Sequence, residues 1–482
     1  MGATVALSLI SHTNAGKTTL ARTLLGRDVG EVRDAPHVTQ DAESWPLADT
    51  PEGDALVLWD TPGFGDSARL AKRLAQQGNP VGWFLSQVWD RFRDRPFWLT
   101  QKAVGNVRDE ADVVLYLVNA SEEPGDAGYL VPELAVLEWI GKPVVVLLNQ
   151  TGRPRPHAEE AADEARWRQA LGHRGFVHAV LTLDAFARCW VQEAELLQTL
   201  GSCLPDAKRE GYARLVAAWQ ERRERQFDAS MAALAAPIAS AAVDREAVPD
   251  AGIKGALREF GRSIGVARDE GEDAKARAAE SLAKRLNARI LDSTDRLIAI
   301  HELTGKASED VRARLAHQVT LDAPVSEGKA AMMGGVVSGA LSGLAADLAA
   351  GGFTFGAGML AGAVLGALGG AGLARGVNLA KGKSGAAVRW DDAFLDGLVG
   401  SAMLRYLAVA HYGRGRGDWV ESEYPPHWAP EVERVIAVHR DALAHVWSMR
   451  GEAADETALS SALVPVLTAM ARELLATLYP VS

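Results

Sequence analysis

The feature that most constrains this chain is the run Ser11-His12-Thr13-Asn14-Ala15-Gly16-Lys17-Thr18, set between an aliphatic stretch, Thr4–Ile10, and a helical stretch, Thr19–Leu25. A glycine-bearing loop between a strand and a helix turns backbone N–H groups inward, and the following helix brings its positive end to the same point. Such a loop holds phosphate groups: Lys17 reaches the outer phosphate oxygens and the Thr18 hydroxyl is available to Mg²⁺. Ser11, Asn14, Ala15, Gly16, Lys17, Thr18 and Thr19 are therefore the candidate nucleotide contacts. The first glycine usual in such loops is replaced by Ser11, which must turn the chain without glycine's freedom at φ.

A second phosphate element follows in the right order. The run Ala55–Trp59 ends in Asp60-Thr61-Pro62-Gly63, which supplies a carboxylate for a Mg²⁺ shell and a glycine N–H that can sense a γ-phosphate. Further aliphatic runs at Val113–Val118, Val144–Leu148 and Val177–Leu183 alternate with helical patterns. That alternation predicts an α/β domain over 1–204, a mostly parallel sheet with helices on both faces. The aromatic-rich stretch, about 81–110, reads as an insertion.

A chain of 482 residues has room for roughly three domains. After 204 the strand signal gives way to charged helical patterns, and Leu282, Leu286, Ile290 and Leu297 share one helical face. We expect a helical domain or stalk over 205–325, a Gly/Ala-rich hairpin over 326–384 and a helical region over 385–482. The net charge of -11 argues against general nucleic-acid binding. Two cysteines make no disulfide framework, and Met1–Ile10 has no basic leader, so the expectation is cytoplasmic.

Residues Ala3 to about Leu204 resemble GTPases of the translation-factor class, specifically the Era, EngA and TrmE group. The resemblance implies a P-loop G domain binding GTP/GDP and Mg²⁺, with Thr18, Thr39 and Asp60 around the metal and Gly63 at the γ-phosphate. Thr39 would be the switch threonine; it also reads as a surface threonine. Lys17, Thr39 and Asn14 are its candidate catalytic residues. Asn14 matches members that use K⁺, a cation that can stand where an arginine otherwise neutralises phosphate charge; it could instead cap the loop. Phe64 follows Gly63 in place of a water-orienting glutamine, which implies slow intrinsic hydrolysis, and dimerisation across the nucleotide face could complete a K⁺ cage.

Base selection departs from the family. Asn149-Gln150-Thr151-Gly152 stands where an Asn-Lys-x-Asp motif is usual, so Asn149 can meet the base edge but Gly152 cannot supply the carboxylate. Asp184 could replace it, or could begin a helix. A narrower resemblance, carried by His12-Thr13-Asn14, Asn149–Gly152 and Leu183–Trp190, is to bacterial proteins that join such a domain to a large carboxy-terminal domain of unknown function.

Within Ala330–Ala374, glycines recur every fourth residue at 335, 339 and 343 and again at 358, 362, 366 and 370, with Asp347 the single charge. On helices this gives flat faces that pack backbone to backbone, as in membranes. The reading adopted is a glycine-zipper hairpin that contacts a membrane or a membrane protein, with Arg375, Lys381 and Lys383 at head groups and the protein peripherally or integrally on the inner membrane; the alternative is a buried soluble hairpin. Two function classes result: a GTP-hydrolysing switch, or a degenerate nucleotide-binding interaction module, with a P-loop ATPase as a further variant.

Overall fold

The strand β1 (Thr4–Ser11) is buried along almost its whole length, as a strand of alternating aliphatics covered on both faces must be. Around it a computed structural model describes residues 2–12, 15–26, 43–61, 64, 66–75, 94–151, 157–172, 174–183, 189–247, 270–303, 377–382, 385–411, 427–451 and 454–479. Asn14, Thr39, Gly63, Asp184 and the 330–374 segment lie outside the described residues, as do Arg375 and Lys383.

The chain divides into two compact units, one of Met1–Arg225 with Ala410–Glu421 and Leu478–Ser482, the other of Gln226–Val409 with Ser422–Thr477. In the first, α1 (Lys17–Leu25), β2 (Glu43–Asp49), β3 (Ala55–Asp60), α2 (Ser67–Ala75), α3 (Arg95–Glu110) and β4 (Val113–Asn119) follow β1. Then come α4 (Leu130–Ile140), β5 (Val144–Asn149), α5 (His157–Leu171), β6 (Val177–Thr182) and α6 (Trp190–Cys203). The six strands lie in the order β2-β3-β1-β4-β5-β6. All pairs are parallel except β2 against β3, where the register shifts between Pro46 and Ala48. The sequence reading missed β2: it is a polar edge strand with a proline, and neither feature gives an aliphatic run.

Side-chain alternation divides the strands between two cores. Leu7, Leu9, Leu58, Leu115 and Leu147 pack with α1, α6 and the start of α7 (Asp206–Val243). Ile10, Val114, Tyr116, Val146 and Leu148 pack with α2, α3, α4 and α5. The aromatic-rich segment contributes α3, whose Asp94 cap accepts Phe97 N–H and binds Arg69 of α2 at 2.5 Å.

In the second unit the 38-residue α7 continues past Gln226, and α8 (Glu270–Ile300) buries Leu282, Leu286, Ile290 and Leu297 as the periodicity predicts. A three-stranded antiparallel sheet, β7 (Glu246–Ala247), β9 (Gly385–Trp390) and β8 (Val377–Gly382, holding Lys381), joins α9 (Asp392–Ala410), α10 (Trp428–Val438), α11 (Arg440–Ser448) and α12 (Glu456–Leu478). Buried Arg450 ties three of these together, donating to the carbonyls of Ala242 and Trp390 and to Asp392. Among the described residues α9 and α12 are long and apolar enough to cross a membrane, but α9 has 78% of its apolar window inside the unit, as a core helix does.

Candidate functional site

β1 and β3 deliver Ser11 and Asp60 to the same end of the sheet, with Leu9 opposite Asp60 and Ser11 opposite Leu117 of β4. The strand order reverses at β1, the point where an open α/β sheet leaves a crevice at the carboxyl ends of its strands. Helix α1 begins there. Its cap, Gly16, sits in the left-handed region at φ 85° and accepts Leu20 N–H at 2.9 Å. A Cβ on Gly16 would stand 2.7 Å from Asn149 Nδ2, so both conformation and space demand glycine.

The next two residues supply the charge. Thr18 Oγ1 donates to Asp60 Oδ2 at 2.5 Å, which brings together a hydroxyl and a carboxylate, hard oxygen donors suited to Mg²⁺. Lys17 is buried, and its ammonium donates to Ser11 Oγ at 3.2 Å. Burial lowers the Lys17 pKa, while the negative charges of Asp60 and Glu133 oppose that shift. The Ser11 hydroxyl donates to the His12 carbonyl. Ser11 is itself fully buried, and Ala15 and Thr19 are buried with it.

Asn149 comes from the end of β5, where sequence reasoning expects a base contact. Its amide is buried and donates to the Ala15 carbonyl at 2.8 Å, bracing the loop. Gln150 beside it has φ 58°, and its Nε2 lies 3.6 Å from where a Gly16 Cβ would stand. Phe64 is a core residue, 1% exposed and tilted against Tyr116, with its N–H donated to Ser11 O at 3.1 Å. Such a side chain cannot orient a water.

Sequence reasoning passed over a buried cluster beside the loop. Glu133 of α4 approaches His12 Nδ1 at 2.7 Å through Oε1 and accepts the Tyr116 hydroxyl at 2.6 Å through Oε2. The signal was present: Glu133 shares the apolar face of its helix with Leu130 and Leu137, whereas Glu138, the other acid of that helix, is exposed. Burial raises the Glu133 pKa, and its bonds to His12 and Tyr116 hold that rise back. Among the described residues no group of His, Cys, Asp and Glu is arranged to hold a metal, and His439, in the second unit, bonds Glu473 at 2.9 Å.

Fold and loop define a P-loop GTPase-family domain: residues 6–150 match the family described as "50S ribosome-binding GTPase". Over residues 168–464 the chain matches, and belongs to, the family described as "Domain of unknown function (DUF3482)". It is 28% identical over 144 residues to GTPase Era of Heliobacterium modesticaldum, covering 30% of this chain and 38% of that protein. Against GTPase Der of Myxococcus xanthus it is 28% identical over 172 residues, covering 34% of this chain and 30% of that protein. The chain thus spans well under half the length of either relative. A crystal structure of Aquifex aeolicus Era bound to GDP.AlF4- aligns at TM-score 0.31 and 17% identity, over 43% of this chain and 58% of that one.

Proposed function

We propose that the protein is a Mg²⁺-dependent GTP-binding and GTP-hydrolysing switch with slow turnover. The observation that carries this reading is the meeting of Thr18 and Asp60 beside buried Lys17, at the left-handed Gly16 that opens α1. In this reading the loop N–H groups and Lys17 bind the phosphates, and Thr18 and Asp60 hold the metal, joined by Thr39 from outside the described residues. Mg²⁺, when bound, neutralises charge on the β- and γ-phosphate oxygens. Asn14 holds K⁺ near the same charge, and Gly63 senses the γ-phosphate. A core Phe64 in place of a water-orienting side chain supports slow turnover and a role for K⁺, with a nucleotide-dependent dimer of G domains enclosing the cation.

The carboxy-terminal half, through the 330–374 segment, contacts a membrane or a membrane protein, placing a cytoplasmic protein at the inner membrane. Flotation of the full chain with liposomes, with and without GTP, tests this: a chain that stays soluble in every nucleotide state counts against it. A specific departure favours a second reading, an adenine-selective or non-hydrolysing module: Gly152 offers no base carboxylate, and Asn149 is turned to the loop. The deciding experiment is turnover of GTP and of ATP by the purified chain in KCl and in NaCl. GTP hydrolysis faster in KCl is the expected result. ATP preference, no turnover, or equal rates in the two salts would each remove the corresponding part of the proposal.

A further inference from the structure

Ser11, which stands where the usual loop glycine is missing, still pairs in β1, and the next residue, where the chain leaves the sheet, is held by a cluster of side chains. The His12 ring lies flat on Tyr129, with centroids 4.3 Å apart and planes 14° from parallel. Its Nδ1 is 2.7 Å from Glu133 Oε1. The second oxygen of that carboxylate takes the Tyr116 hydroxyl, so three rigid pieces meet at one ring: strand β4, helix α4 and the turn before it.

A carboxylate with 0% exposure is costly to keep in a protein interior unless its partners are well placed. Here two hydrogen bonds satisfy it, and Lys17, the phosphate-reaching cation of the same loop, is close enough to feel its charge. A hydrophobic residue at 133 would fit the apolar face of α4 on which Leu130, Leu134 and Leu137 lie. The charge therefore has a use other than filling the core, and its partner His12 stands directly after Ser11.

We propose that Glu133 is a positioning residue for the nucleotide site: acting through His12 clamped on Tyr129, it fixes the direction in which the loop leaves β1 after Ser11. The proposal rests on the reading of the loop as a nucleotide site. Serine at position 11 can then take a second role, as the hydroxyl that receives Lys17.

The test is titration of the full chain with fluorescent GDP in Mg²⁺, comparing the parent, Lys17→Ala, His12→Phe, Glu133→Ala and the double variant His12→Phe/Glu133→Ala. Phenylalanine keeps a ring against Tyr129 and removes the bond to Glu133. Each single clamp variant is expected to weaken GDP about tenfold or more, and the double variant no more than about twofold further, because both residues act through one contact. Parent affinity in either single variant, or losses that multiply in the double, would overturn the clamp. Should Glu133→Ala fail to fold, His12→Phe alone decides on the same tenfold criterion. A parent that binds neither guanine nor adenine nucleotide overturns the site reading and the clamp together. Binding by the parent, lost in Lys17→Ala and unchanged in the clamp variants, overturns the clamp alone.

Discussion

The two ends of the parallel sheet use the same kinds of side chain for opposite purposes. At the amino ends of the strands, Asp54 accepts Ala3 N–H at 2.7 Å, Arg214 Nε at 2.7 Å and Thr50 Oγ1 at 3.0 Å. Asp112 accepts Ala6 N–H at 2.8 Å and Lys208 Nζ at 2.7 Å. Both of these carboxylates have a backbone donor and a cation from the first turns of α7, so the end is closed. At the carboxyl ends, the Lys17 ammonium reaches only a hydroxyl among the described residues, and the Thr18 hydroxyl and Asp60 carboxylate lean on each other. A saturated set of charges is a joint, whereas a buried cation whose direct hydrogen bond among the described residues goes to a neutral hydroxyl retains its attraction for a phosphate.

That contrast can be broken by substitution. The largest effect belongs to Lys17→Ala, which removes the charge that the open end holds for phosphate; GDP affinity measured by fluorescence titration should fall at least about 100-fold. An affinity equal to that of the parent would show that the carboxyl end is no more a binding site than the amino end. Gly16→Ala should come next, because its Cβ would press on Asn149 Nδ2 at 2.7 Å and its φ of 85° disfavours any side chain. A loss of about 10-fold in affinity, with the melting temperature little changed, is expected from strain of this size.

At the closed end the same kind of change should act on stability alone. Gly211 lies on α7 against the amino end of the sheet, and a Cβ there would collide with Ala3 Cβ and stand 2.7 Å from Asp54 Oδ1. Both neighbours are held by other bonds, so Gly211→Ala should cost about 1–3 kcal/mol by overpacking. Thermal melts should show the loss, and GDP affinity of the folded fraction should not move. If affinity falls as well, the two ends are coupled and the contrast drawn between them is too sharp.

How much of this was legible in the sequence depended on whether a residue's chemistry shows in its own neighbourhood. β1, β4 and β5 are nearly continuous apolar runs because both their faces are covered, and they stand out against any background. β8 and β9, Val-Asn-Leu-Ala-Lys-Gly and Gly-Ala-Ala-Val-Arg-Trp, do not, since small residues carry little strand signal. Lys17, Thr18 and Asp60 were readable from spacing. Asn149 was found, but its orientation toward Ala15 depends on a contact 134 residues away in sequence. Glu133 needs the same kind of information: its partner His12 is 121 residues away, and nothing local distinguishes it from a solvent-facing helical glutamate except the apolar face it shares.

The smallest expected effect sharpens the comparison through pH. Bonds from Arg214 and from Ala3 N–H hold the Asp54 carboxyl well below the usual carboxylate range. A group whose folded-state pKa is depressed adds stability above its unfolded value, about 3.9, and loses that contribution as pH falls through the folded value. Asp54→Asn cannot titrate, so its melting temperature should lie below that of the parent by on the order of a few degrees at pH 7. The gap should hold down to about pH 5 and then narrow as this carboxyl takes up a proton in the unfolded parent while it stays ionised in the folded one. Both chains share every other acid, so the difference between their melting curves isolates this one group. Melts at pH 7, 5, 4 and 3 decide it: no gap at pH 7, or a gap that persists undiminished at pH 3, would mean that the ion pair with Arg214 does not close this end of the sheet, and that the Asp112–Lys208 pair and packing at Gly211 do so.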